Sequence, residues 1–242
     1  MADLRIGTAG WSIAKDRADA FPADGSGLER YGTVFRCAEI NSSFHRPHRQ
    51  STWEKWGNSV PDDFRFSVKL PKIITHERQL AGCADLLSPF LDQVALLGDK
   101  LALLLVQLPP RLAFDEAIAR SFFIDLAGRT PARLTCEPRH ASWFEQDADS
   151  FLADICVARV AADPARVPAA AEPGGWTGLA YWRLHGSPVT YRSSYADRIG
   201  GYAQAIGAIT APERWCIFDN TASSAATGDA LALCAAMRPR TP

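Results

Sequence analysis

The chain has no Cys-x-x-Cys pair, no Gly-x-Ser-x-Gly elbow and no Gly-x-Gly-x-x-Gly fingerprint after its first strand-like run. Nor does any stretch approach the roughly 18 apolar residues of a membrane-spanning helix. Each absence closes a class. Without close Cys or His spacing, a structural zinc site or redox pair is not expected. Without the elbow, serine-hydrolase chemistry is not indicated, and without a dinucleotide fingerprint no nicotinamide or flavin cofactor is implied. Net charge is also lacking: 26 basic residues stand against 27 acidic ones, for a net charge of -1. No global field draws this protein to nucleic acid or to an anionic membrane. The opening "MADLRIGTAG" lacks a basic stretch followed by an apolar one, so a cytoplasmic protein with no membrane partner is the expectation. The six cysteines (Cys37, Cys83, Cys136, Cys156, Cys216, Cys234) are scattered, mostly in apolar segments. They are expected as small buried hydrophobes in a reducing compartment.

What is present is a globular balance: 242 residues, 47% hydrophobic and 22% charged. Eight short apolar runs are rich in strand formers, and most end in polar residues. They are "LRIGTAGWS", "CAEINSSF", "FRFSVKLP", "LALLLVQLPP", "ARLTCEPRH", "VARVAADP", "LAYWRLHG" and "RWCIFDNT". Segments with helical spacing separate most of them. The first connection holds Pro22, Gly25 and Gly27 and turns helical only near Leu28 to Phe35. The sixth, "ARVPAAAEPGGW", predicts a shortened or missing helix. Strands alternating with helices imply an α/β fold, and eight such units close into a single TIM (β/α)8 barrel over residues 1–242. An open doubly wound sheet is the alternative, and the missing fingerprint speaks against it.

Side chains two apart on a strand share a face, so alternation selects those that point into the barrel axis. Strand two offers Glu39 and Asn41, strand three Lys69, strand four Gln107, and strand five Glu137 and Arg139. Strand six offers Asp163, strand seven Arg183 and His185, and strand eight Asp219 or Asn220, of which only one can face inward. The expected result is a polar crown at the C-terminal mouth, where barrel enzymes place their sites. His140 and Trp143 would lie in the loop that walls it, the indole offering an apolar face to a ring-shaped ligand. The competing reading has these charges simply neutralising one another, but burying so many ions has a desolvation cost that apolar packing avoids. No metal is expected, because Lys69, Arg139 and Arg183 would repel a dication.

The loops add weaker signals. "GTAGWS" can form a tight turn or let a backbone approach a phosphate. "FHRPHRQ" carries Arg46, His48 and Arg49, either a small anion contact or a solvated loop. "ITHERQL" brings His76 to the site only if that loop folds inward, and "LHGSPVTYRSSY" adds Tyr191, Arg192 and Tyr195.

Taken together, "GTAGWS", "AEINSSFHR", "FSVKLPKIITH", "QLPP", "EPRHASWF", "DPA", "YWRLHGSP", Tyr195 and "FDNTASSAA" resemble the domain-of-unknown-function family 72, also called YecE-like, nearly end to end. His45 departs from the tyrosine more often found at that position. The resemblance implies a TIM barrel and supplies no reaction.

From the residues, the leading expectation is an enzyme of hydrolase or lyase type acting on a small polar or anionic substrate, with sugar- or phosphate-containing molecules among the candidates. Glu137 would be the acid/base and His185 a proton shuttle. Lys69 and Arg183 would bind negative charge, and Glu39, Asn41, Gln107 and Asp219 would orient the ligand. A nucleic-acid barrel gripping a backbone through Arg46, Arg49, Arg78, Arg111 and Arg192 is the alternative, as is a metabolite-binding protein without turnover. If Glu137 faces a solvated pocket, Glu137→Gln should cost about 1 kcal/mol in urea unfolding. If it is sealed beside Arg183, the cost should reach about 3–5 kcal/mol.

Overall fold

The computed structural model describes residues 3–238. Ten strands occur in chain order: β1 (Asp3–Thr8), β2 (Cys37–Ile40), β3 (Arg65–Lys69), β4 (Leu101–Gln107), β5 (Arg133–Glu137), β6 (Val157–Arg159), β7 (Ala161–Asp163), β8 (Gly174–Gly175), β9 (Leu179–Leu184) and β10 (Glu213–Phe218). β6 and β7 are two halves of one barrel position, interrupted at Val160. β6 pairs in parallel with β5, and β7 pairs in parallel with β9. β2 to β6 run side by side in order, and so do β7, β9, β10 and β1. Closure between β1 and β2 rests on a parallel bridge from Ala9 to Glu39 and on the Gly10 amide, which donates to the Glu39 carbonyl at 2.8 Å. The ring of eight positions is thereby complete, with β8 a two-residue antiparallel addition to the edge of β6.

Seven helices return the chain: α1 (Gly27–Gly32), α2 (Gln50–Asn58), α3 (Ala84–Val94), α4 (Glu116–Gly128), α5 (Gln146–Asp154), α6 (Ile199–Ala208) and α7 (Ala225–Ala236). α1 is short and late, as the prolines and glycines of the first connection require. Ser26 caps it by accepting from the Glu29 amide, and the Glu29 side chain accepts from the Ser26 amide in return. No α-helix follows β7. A 3-10 turn at Pro168–Ala171 and the Gly pair of β8 occupy that connection instead, where the two prolines of "ARVPAAAEPGGW" cannot sustain a helix interior.

Alternation along the strands separates two apolar layers. Cys37, Leu103, Leu105, Ala158, Val160, Leu179, Tyr181, Trp215 and Ile217 fill the barrel interior. Their neighbours Ala38, Ile40, Phe66, Val68, Leu104, Val106, Leu134 and Phe218 pack outward against the helices. Four of the six cysteines are buried in these layers and none is paired. No helix of the described residues is long and apolar enough to cross a membrane.

The interior is tightest where β1 meets β2. A Cβ on Gly7 would overlap the carbonyl oxygen of Cys37, so only glycine lets the two strands approach. Tyr31, buried beneath them, accepts from the Thr8 amide at 2.8 Å and donates to the same Cys37 carbonyl at 3.1 Å. Gly7→Ala should therefore destabilise by about 1–3 kcal/mol through overpacking, measured by urea unfolding. A neutral result would show that the seam relaxes freely.

Candidate functional site

Arg183, near the end of β9, is fully buried in the barrel axis. Its Nε and Nη2 grip both oxygens of Glu39 on β2 at 2.9 and 2.7 Å, a bidentate pair. Nη1 donates to Glu137 on β5, and Nη2 also reaches Asp219, just beyond β10, at 3.0 Å. One guanidinium thus ties together three carboxylates from across the barrel.

His185 closes the same knot. Its Nδ1 lies 2.9 Å from Asp219 and its Nε2 3.0 Å from Glu137. A carboxylate oxygen lies against each ring nitrogen, which favours the imidazolium, and Arg139 Nη2 also lies 3.3 Å from Nε2. Burial alone would lower its pKa, but the Glu137 charge and the two hydrogen bonds raise it above the ordinary histidine value.

Glu137 is saturated. It accepts from Arg183, from Gln107 Nε2 at 3.0 Å, from His185, and twice from Arg139, at 3.2 and 2.8 Å. Burial pushes its pKa up, yet Arg183, Arg139 and His185 outweigh burial and hold it well below the usual carboxylate range. Asp219 is likewise held below its ordinary value: burial opposes ionisation, while Arg183 and His185 favour it. Glu39 is completed by the Tyr181 hydroxyl, which donates at 2.9 Å from two residues before Arg183.

Lys69, at the end of β3, is the exception. It is only 6% exposed, yet among the described residues its Nζ has no hydrogen-bond acceptor and no carboxylate within 4.0 Å. It sits 4.0 Å above the ring of Phe44 instead. Burial and the like charge of Arg183 lower its pKa to about 8, against the pull of Glu39, Glu137 and Asp219.

Other groups reach this end of the barrel. The π-turn at Ile73–Glu77 folds inward, placing the His76 ring 4.9 Å from Phe44. Burial, then the charges of Lys69 and Arg139, depress the His76 pKa to about 4, so the imidazole is neutral. Arg139 has a side chain 21% exposed, and its Nη1 meets no protein acceptor among the described residues. Tyr191, 42% exposed, stands edge-on to His185 at 5.9 Å in a left-handed conformation (φ 65°). Such strain in a non-glycine residue concentrates at functional sites. A crevice of about 370 Å³ beside Asp219 is lined by Gly10, Trp11, Asn41 and His45. Asn41 Oδ1 is buried there without a partner.

A second cavity of about 560 Å³ lies between the loops after β2 and β3, with Phe44 and His45 in its wall. Among the described residues no three His, Cys, Asp or Glu side chains are arranged to hold a metal. Arg46, Arg49, Arg78, Arg111 and Arg192 are exposed, Arg46 and Arg49 on one loop and the other three on loops of their own.

Residues 5–242 match the family model described as "Protein of unknown function DUF72". The chain belongs to the DUF72 family. It is 32% identical over 149 residues to the UPF0759 protein YecE of Escherichia coli K12, covering 59% of this chain and 54% of YecE, so the match spans about half of that relative's length. A DUF72 family protein of Enterococcus faecalis superposes with a TM-score of 0.80 at 19% identity, covering 99% of this chain and 97% of the other. One from Thermotoga maritima gives 0.77 at 22%, covering 96% and 98%. These structures establish that the barrel is the family's fold.

The residues named from the sequence divide into two groups. Glu39, Asn41, Lys69, Gln107, Glu137, Arg139, Arg183, His185 and Asp219 come together at one end. Asp163 does not: Ala158 and Val160 fill the interior, so alternation turns Asp163 outward. There it accepts from Tyr195, Tyr202 and Arg198. Tyr195 is buried against the Gly186 amide and braces the loop after β9. Asn220 faces away from the axis and donates to Asp229 and to the Ser193 carbonyl. His140 accepts from the Ser142 amide as the cap of a 3-10 turn. Trp143 offers no face to a ligand. It is 1% exposed, packs on Phe114 and donates to the Leu112 carbonyl at 3.0 Å, because the turn at Ala141–Phe144 folds its indole into the core.

His76 and Tyr191 join the site through loop geometry that alternation does not reach. Tyr181 was accessible to the alternation rule, lying two residues from Arg183.

The solvated-pocket expectation for Glu137 gives way, since the residue is fully buried. Glu137→Gln should cost about 3–5 kcal/mol at pH 7 by leaving Arg183 underpaired. Depressed carboxylates contribute stability above their unfolded pKa, about 4, and lose it as pH falls through the native value. His185, raised, contributes fully below about 6.5 and loses its share as pH rises through its native value. The gap between wild type and Glu137→Gln in urea unfolding should therefore shrink below about pH 4. A gap independent of pH would contradict the ionised knot.

Proposed function

We propose that this end of the barrel is the active site of an enzyme, of hydrolase or lyase type, acting on a small anionic substrate. The observation that carries this reading is the contrast between Lys69 and its surroundings. Arg183, Glu39 and Glu137 are each held by several hydrogen bonds across the axis, whereas among the described residues Lys69 is buried without an acceptor. A purely structural ring would gain nothing from an unpaired ammonium, since a buried cation without a partner is destabilising. With a pKa of about 8, roughly a tenth of Lys69 is free amine at pH 7, in reach of proton transfer under physiological conditions.

The division of labour follows from hydrogen-bond capacity. Glu137 and His185, assigned from the sequence as acid/base and proton shuttle, have no lone pair or proton left for a substrate, and they act by positioning. Glu137 aims Arg139, whose free Nη1 and exposed edge offer a seat to a carboxylate or phosphate oxygen. Lys69 exchanges the proton. Neutral His76 relays it toward solvent, and Tyr191 supplies the apolar wall above His185. The crevice beside Asp219 receives the rest of the ligand, where the unpartnered Asn41 Oδ1 accepts from a hydroxyl or amide.

Turnover across a panel of small phosphate esters, carboxylate esters and hydroxy acids tests this. Lys69→Met should lower the rate on any substrate found by about 10²- to 10⁴-fold. It should also raise stability to urea at pH 7 by about 1–2 kcal/mol, as expected of a functional group held at the expense of the fold. A Lys69→Met protein that keeps its rate, or one that loses stability, would remove Lys69 from the centre of the reading.

A further inference from the structure

The protein has five lysines, and only one is placed as a nucleophile. Lys15, Lys55 and Lys72 are exposed, and Lys100 donates to the Val60 carbonyl at 2.8 Å. Lys69 alone combines burial, the absence of an acceptor and an aromatic face under its nitrogen. An amine used only to hold an anion gains from a permanent carboxylate partner, and among the described residues Lys69 has none within 4.0 Å. The Phe44 ring under Lys69 also carries the His76 imidazole at 4.9 Å, and the charges of Lys69 and Arg139, a guanidinium with a free edge, both act on that imidazole.

We propose that Lys69 forms an imine with the carbonyl carbon of a small oxo acid, whose carboxylate is held by Arg139. The inference rests on the anionic-substrate reading above and names its substrate class. In the first step the amine lone pair attacks the carbonyl carbon, and the carbon–oxygen π pair moves to oxygen, which takes a proton. That proton comes from the nitrogen and gives the neutral carbinolamine; one further proton, delivered through His76, lets the hydroxyl leave as water while the nitrogen lone pair forms the protonated imine. That cation accepts the electron pair, as an enamine, when a C–H bond beside the former carbonyl releases its proton or a C–C bond releases its fragment as an aldehyde, and the enamine carbon then takes a proton. Hydrolysis by water returns the carbonyl and the free amine, so no oxidant or reductant is consumed. Arg183, fixed by its three carboxylates, keeps a second positive charge nearby and favours the free amine over the ammonium. Lyase chemistry fits this sequence better than hydrolysis.

The test uses pyruvate as the probe, with cyanoborohydride to reduce any imine, and locates the adduct by intact mass and peptide mapping. A single adduct on Lys69, formed ahead of the other four lysines, is expected. Arg139→Ala should slow it by about tenfold to a hundredfold. Lactate, which carries the carboxylate without the carbonyl, should raise the thermal midpoint and slow trapping by pyruvate. Lys69→Arg should give no adduct while its midpoint still rises with lactate, which guards against a variant that simply fails to fold. Adducts spread over the exposed lysines would overturn the imine. Stabilisation by lactate without an adduct on Lys69 would overturn the imine and leave the anion site standing. No response to lactate together with no adduct would remove both.

Discussion

A guanidinium sealed among three carboxylates is the constraint on which the rest of this end of the barrel depends. Arg183 reaches from β9 across the axis to Glu39 on β2 and Glu137 on β5, and to Asp219 after the adjacent β10. Desolvating such a group is expensive, and the arrangement holds because the guanidinium makes four hydrogen bonds to the three carboxylates. Tyr181, Gln107, His185 and Arg139 complete that accounting. The knot therefore ties the positions of four strand ends to one another. A change in any one carboxylate propagates to the aim of Arg139 and His185.

Saturation of the knot shapes the chemistry as much as the fold. A carboxylate with five donors is a poor base, and an imidazolium wedged between two carboxylates is a poor shuttle. On the proposed reading, reactivity is left to groups at the edge: the amine of Lys69, the outer nitrogen of Arg139, and the neutral ring of His76. The like charge of Arg183 and burial over Phe44 hold the Lys69 pKa down, as that role requires. Positioning by the knot and reaction at its rim are, in this proposal, separate tasks carried by separate residues.

The barrel was legible in the sequence because strand-forming runs alternate with helical spacing, and because Pro and Gly mark the two irregular connections in advance. Alternation found Glu39, Lys69, Gln107, Glu137, Arg183, His185 and Asp219, whose strands have bulky apolar residues to define each face. It failed at Asp163, where the alanines of "VARVAADP" leave the faces poorly marked and the strand breaks at Val160. It failed again at Trp143, where a 3-10 turn rather than strand geometry decides the direction of the indole. The exclusive pairing of Glu137 was out of reach for a different reason. Hydrogen bonds from three other strand positions meet on one carboxylate only after closure, and no local pattern encodes their convergence.

The central claim is that Lys69 is the one reactive amine left over by a closed ionic knot. Its titration tests that most directly. With methyl or ¹³Cε labelling of lysine, the Lys69 resonance should titrate with a midpoint near 8, and the midpoint should rise when Arg183 alone is replaced by methionine, which removes the like charge and leaves the three carboxylates. A midpoint at the ordinary lysine value of about 10.4 in the intact protein would contradict the account, because it would mean that Lys69 is either hydrated or paired.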